Sequence, residues 1–162
     1  MARTLIVYAT KHGCTERCAG KVAAALPGEV KMLSIKDARN IDLSTFDAVA
    51  VGGSIHAGKI QTSVRDFCAK NLEVLKGKRF GLFLCHMEEG AKAEAEFAAA
   101  FPKELIEAAT AKGLFGGAFD FDRMTWLEKA MVKKIAHVTA SVSKIDEASI
   151  AAFARALAGP VA

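Results

Sequence analysis

The chain has 162 residues, of which 52% are hydrophobic and 25% charged, with a formal net charge of +4. That length suits a single domain, residues 1–162, with a sizeable core, and the balance of residue types excludes a disordered or fibrous chain. No apolar run approaches the roughly 20 residues that span a bilayer, and the amino terminus lacks the long apolar segment and cleavage site of a secretory signal, so a cytoplasmic protein is expected.

The first element is a short apolar run, Leu5-Ile6-Val7, of the kind that fits a strand buried on both faces. It leads into Thr10-Lys11-His12-Gly13-Cys14-Thr15, and Glu16 to Leu26 then reads as a helix with Cys18, Val22, Ala25 and Leu26 on one side. A turn from a buried strand into a helix leaves amide N–H groups pointing at the carboxyl edge of a sheet. Such a turn is an anion site. Its wording is neither a Walker loop nor a dinucleotide fingerprint.

Glu29 to Ile35 alternates like an edge strand, Asp42 to Phe46 reads as a helical turn, and Ala48 to Val51 is the next buried strand. Gly52-Gly53-Ser54-Ile55-His56-Ala57-Gly58 reads as a second glycine-rich loop. The helix after it carries Val64, Phe67, Cys68 and Leu72 inward, and Arg79 to Cys85 is a fourth strand running into His86-Met87-Glu88-Glu89-Gly90. Ala91 to Lys112 is expected to be helical, with Pro102 opening a second segment. Leu114 to Phe119 reads as a fifth strand, and the last helix starts near Asp146 with Ile150, Phe153, Ala154 and Leu157 facing in.

Strands alternating with helices call for a parallel sheet covered on both faces. Five strands in this rhythm predict a doubly wound α/β/α sandwich of order 2-1-3-4-5, whose switch point lies between the first and third strands. Both glycine-rich segments flank that crevice. Cys14, Cys18, Cys68 and Cys85 are scattered, with no Cys-x-x-Cys pair, and read as reduced thiols. His12, His56 and His86 end different strands, but no ligand pair has helical spacing and no metal is expected. His137 reads as a solvated helix residue.

The Thr10 to Thr15 segment resembles the phosphate loop of flavodoxins, a Ser/Thr-x-x-Gly-x-Thr pattern around the terminal phosphate of FMN. Gly-x-Ser-Ile-x-x-Gly at Gly52 to Gly58, Gly116-Gly117-Ala118, and Met124-Thr125-Trp126 with the basic helix after it are similar to the flavodoxin-type, quinone-dependent protoporphyrinogen oxidases. The resemblance implies an FMN-dependent oxidoreductase that takes hydrogen from a porphyrinogen and passes electrons to a quinone. A non-enzymatic FMN carrier between redox partner proteins is the alternative. It further implies a flavodoxin-like fold with an added segment, Asp120 to Ile145, before the last helix.

On this resemblance, amides of His12, Gly13, Cys14 and Thr15, hydroxyls of Thr10 and Thr15, and the charge of Lys11 hold the phosphate. Gly53, Ser54, Ile55, His56, Ala57 and Gly58, with Cys85, His86, Met87 and Glu88, border the flavin ring. Positive charge from Lys11, Lys59 and the histidines is expected to favour the reduced, anionic ring, against Glu88 and Glu89. In the added segment Leu127, Ala130, Met131, Ile135 and Val138 form an apolar stripe beside Lys129, Lys133 and Lys134, with Arg123 and Trp126 ahead. Such a helix suits peripheral contact with the inner face of a membrane or an acidic redox partner. The basic residues lack interleaved aromatics, so nucleic acid is not expected as a partner.

Overall fold

The computed structural model describes residues 1–119, 124–136 and 142–160. His137 and the Asp120, Arg123 and Val138 positions of the added segment lie outside the described residues. Five parallel strands form the main sheet: β1 (Arg3–Tyr8), β2 (Glu29–Ser34), β3 (Ala48–His56), β5 (Arg79–Cys85) and β6 (Ala111–Leu114), in the order β2-β1-β3-β5-β6. The two-residue strand β4 (Lys59–Ile60) folds back on β3. Counting only the parallel strands, this is the order 2-1-3-4-5, with the switch point between β1 and β3.

Side-chain alternation assigns the two core layers. Leu5 and Val7, with Val49, Val51, Leu82 and Leu84, meet α2 (Thr62–Lys70), α3 (Leu72–Lys76), α4 (Gly90–Ala100) and α5 (Lys103–Ala108) through Val64, Phe67, Leu75, Phe97 and Leu105. Ile6, Ala50, Phe83 and Cys85 face the opposite way, toward α1 (Cys14–Ala25) and α7 (Glu147–Ala158). There Phe83, Phe115 and Phe153 pack ring to ring with centroids 5.1 to 5.7 Å apart. The expected inward residues of the last helix, Ile150, Phe153, Ala154 and Leu157, are all buried, and Asp146 accepts from the Ser149 amide at 3.0 Å as its cap.

Several expectations need correction. First, Gly52 to His56 is not a loop but the continuation of β3, paired in parallel with Phe83, Leu84 and Cys85 through Gly52, Gly53 and Ser54. A side chain at Gly52 would run into the Phe83 ring, so this glycine answers close packing rather than a turn. The turn is only Ala57-Gly58, with φ of 51° and 77°, between the paired residues His56 and Lys59.

Second, the helical stretch ends at Ala108, and Ala111 and Lys112 belong to the fifth sheet strand. Third, that strand does not run on to Phe119. At Gly116, φ 71°, the chain leaves the sheet as β7 (Gly116–Phe119), which pairs antiparallel with β8 (Val142–Ile145). Fourth, the first helix begins at Cys14 rather than Glu16, and Ala25 faces solvent while Ala19 takes its place inside. Leu72 is only half-buried, with Leu75 filling the core instead.

Candidate functional site

The β1–α1 connection stands at the switch point. The Ala9 amide donates to the Gly52 carbonyl at 3.1 Å, carrying the β1–β3 pairing to the lip of the loop. Thr10 Oγ1 accepts from the Gly13 amide at 2.8 Å and closes the loop on itself. Gly13 then caps α1 with φ 90° and offers no side-chain acceptor. The first amides of α1 have no carbonyl four residues back, and the helix dipole puts partial positive charge there. Thr15 is fully buried in the first turn, and its Oγ1 has no hydrogen-bond partner. A buried hydroxyl left unpaired costs about 1–3 kcal/mol. An anionic oxygen acceptor at the loop would fit it.

A carboxylate already reaches this loop from the added segment. Glu128, in the first turn of α6 (Trp126–Ala136), lies 2.7 Å from His12 Nε2 and 3.2 Å from Lys11 Nζ. Thr125 and Glu128 form a capping box: the Glu128 amide donates to Thr125 Oγ1 at 3.2 Å, and the Thr125 hydroxyl donates to Glu128 Oε1 at 3.1 Å. Partial burial opposes ionisation of Glu128, but Lys11, Thr125 and His12 outweigh it and hold the carboxyl at about 2. The charge of Lys11, expected to serve both the phosphate and the flavin ring, is therefore offset by Glu128.

At the end of β3 a second polar network forms around Gln61. Its Oε1 accepts from the Ser54 amide at 2.9 Å, and its Nε2 donates to Ser54 Oγ at 2.8 Å and to the Ala9 carbonyl at 3.4 Å. The Ser54 hydroxyl also hydrogen-bonds His56 Nε2, 2.9 Å away. Burial first, then the charges of Lys11 and His12, push this imidazole below its ordinary value of 6.5 and keep it neutral, against the opposing pull of Glu128. The His12 and His56 rings stand edge to face with centroids 6.1 Å apart, so the β1–α1 loop meets the end of β3.

The β5 end is arranged differently. His86 Nε2 accepts from the Gly116 amide at 3.2 Å and Nδ1 donates to the Glu88 carbonyl at 2.7 Å, which fixes its tautomer and ties β5 to the β6–β7 corner. Met87 lies against Gly117, while Glu88 is exposed.

Among the proposed contact residues, then, Thr10, Lys11, His12, Gly13, Thr15, Ser54 and His56 gather at one place. Ile55 packs toward the α2 side of the core, and Ala57 and Gly58 are exposed at the hairpin tip. Cys14 and Cys85 direct their sulfurs toward Cys18, all three within 4.8 Å of one another. Hydrogen bonds from the Cys18 and Cys85 thiols draw the Cys14 thiol well below its ordinary range and push those two donors up. Gln61 and Glu128 escaped the sequence reading. The Thr-x-x-Glu spacing of Thr125 and Glu128 was a signal for the cap, though not for the contact with Lys11 and His12. Nothing local marks Gln61.

A family model described as a flavodoxin domain matches residues 5–146. A short-chain flavodoxin associated with a PDU bacterial microcompartment is similar in structure, with a TM-score of 0.61 and 18% identity over 97% of both chains. The two-electron reduced flavodoxin of Megasphaera elsdenii is similar over 70% of this chain and 82% of its own, with a TM-score of 0.53 and 22% identity. No curated protein sequence matches the chain.

Proposed function

The chain belongs to the flavodoxin domain family, and on that premise we propose that it binds FMN at the β1–α1 loop and passes electrons between redox partner proteins. The observation that carries the reading is the buried Thr15 hydroxyl without a partner, set in a helix-start loop that Thr10 holds closed. The Glu128 carboxylate on Lys11 and His12 supports it, because an anionic oxygen is attracted to the same place. Thr10, Thr15 and the amides of His12 to Thr15 would hold the phosphate, with Lys11 lending charge and His12 a hydrogen bond. Ser54, His56, Met87 and the neighbouring backbone would border the ring, held rigid by Gln61. When bound, FMN supplies reversible electron transfer, and the protein contributes binding, orientation and electrostatics.

The decisive measurement is the visible spectrum of the untreated protein, followed by an FMN titration monitored by flavin fluorescence. A yellow protein that releases FMN on heating, or a colourless one that quenches added FMN at micromolar concentration, supports the reading. A colourless protein that leaves FMN fluorescence unchanged overturns it.

A second reading, as a quinone-dependent porphyrinogen oxidase, draws on α6. Trp126, Leu127 and Met131 are 80%, 55% and 49% exposed beside Lys134, the kind of surface that rests on an anionic membrane. No helix among the described residues is long and apolar enough to cross one. Oxidation of a porphyrinogen with a quinone acceptor, stimulated by anionic vesicles, would favour this reading. Electron transfer to partner proteins without such activity favours the carrier.

A further inference from the structure

We propose that Cys14, Cys18 and Cys85 form a binding site for a thiophilic d10 metal ion, zinc being the favoured occupant, which clasps the start of α1 to the end of β5. Their three sulfurs lie within 4.8 Å of one another, and among the described residues this is the one group of three or more cysteine, histidine or carboxylate ligands so placed. The arrangement follows from the fold. Cys14 and Cys18 are one helical turn apart on the face of α1 that meets the sheet, and Cys85 is the last residue of β5, on the same side of the sheet as Phe83.

Three thiolates around a zinc ion at about 2.3 Å stand roughly 3.8 Å apart in a tetrahedron. The sulfurs need only close by up to about 1 Å, within the reach of cysteine rotamers. Each ligand binds as thiolate, its proton leaving to solvent, so the filled site carries one net negative charge with zinc and two with a monovalent ion. The apolar surroundings of Phe83, Phe115 and Ile6 favour the smaller charge, and Arg17, the residue before Cys18, acts on Cys14 to offset it. Cys18 and Cys85 are buried and Cys14 is half-buried as a residue, so an ion and a fourth, non-protein ligand would come from the Cys14 side.

The site stands apart from the flavin reading, because it uses the sulfurs behind the loop and none of the groups assigned to the phosphate. Binding should nonetheless stiffen that loop, since Cys14 adjoins Gly13. The test uses the reduced protein as purified, titrated with cadmium as a spectroscopic substitute for zinc and with zinc against a chromophoric chelator. Expected are one equivalent of tightly bound ion, a thiolate-to-cadmium charge-transfer band in the ultraviolet, and a higher unfolding temperature with metal. Cys14→Ser and Cys18→Ser should each weaken binding about tenfold or more, while Cys68→Ser, in the opposite core layer, should leave it unchanged. Cys14→Ser, at the half-buried position, keeps the test valid if Cys18→Ser fails to fold. Weak or non-stoichiometric binding overturns the proposal, as does equal binding by wild type and Cys14→Ser, whether or not FMN is bound.

Discussion

At the scale of single residues, Thr15 and Glu128 make opposite contributions to the loop. The Thr15 hydroxyl is buried without a partner, so Thr15→Val removes a penalty from the ligand-free protein and a contact from the loaded one. FMN affinity should fall about tenfold, about 1.4 kcal/mol, while stability without FMN stays level or rises by about 1 kcal/mol. Fluorescence titration and urea unfolding measure the two; a loss of stability with unchanged affinity would mean that the hydroxyl serves the fold. Glu128 holds Lys11 and His12, the side chains that a phosphate would use. Glu128→Gln should therefore raise FMN affinity severalfold, with the gain shrinking as salt rises. Equal affinities at low salt would show that the carboxylate moves aside without cost.

At the scale of elements, the β3–β4 hairpin stores a measurable strain. Ala57 sits at φ 51° in a two-residue turn whose geometry suits glycine or asparagine. Ala57→Gly relieves the left-handed conformation, partly offset by the freedom glycine gains when unfolded, for a net stabilisation of about 0.5 kcal/mol. A shift of the urea midpoint to higher concentration is the expected result, and a downward shift would mean that the methyl group packs usefully. This hairpin also shows where local reading fails. Gly52 and Gly53 look like a loop in sequence because glycine breaks strands on average, yet here Phe83 and Gln61 occupy the space that side chains would need. The fifth strand was displaced for a related reason: Gly116 turns the chain out of the sheet, and the residues after it pair with β8, a partner more than twenty positions away. By contrast, Arg79 to Cys85 and Asp146 to Leu157 were legible, since an unbroken apolar run and a capped amphipathic helix carry their pattern in adjacent residues.

At the scale of the whole molecule, His56 and Glu128 act in one direction on acidification. His56 is depressed in the folded state from 6.5, so the unfolded chain takes up its proton first and stability falls as pH drops below that value. Glu128 has an ordinary value of 4.5 and sits at about 2 when folded; the stability it provides is fully present above 4.5 and is lost as pH falls toward 2. Unfolding midpoints measured from pH 7 downward should decline in these two stages, and Glu128→Gln should flatten the lower one. A midpoint that rises on acidification would contradict both assignments. The sequence alone determined the layered α/β architecture and the glycine-bearing turn between the first strand and the first helix, because hydrophobic period and turn chemistry are properties of neighbouring residues. Tertiary structure decided that Glu128 lies on Lys11 and His12, that Gln61 binds Ser54 and Ala9, and that three scattered cysteines share one pocket of space. Apart from the one-turn spacing of Cys14 and Cys18 within α1, those contacts join residues brought together only when the sheet closes around its helices.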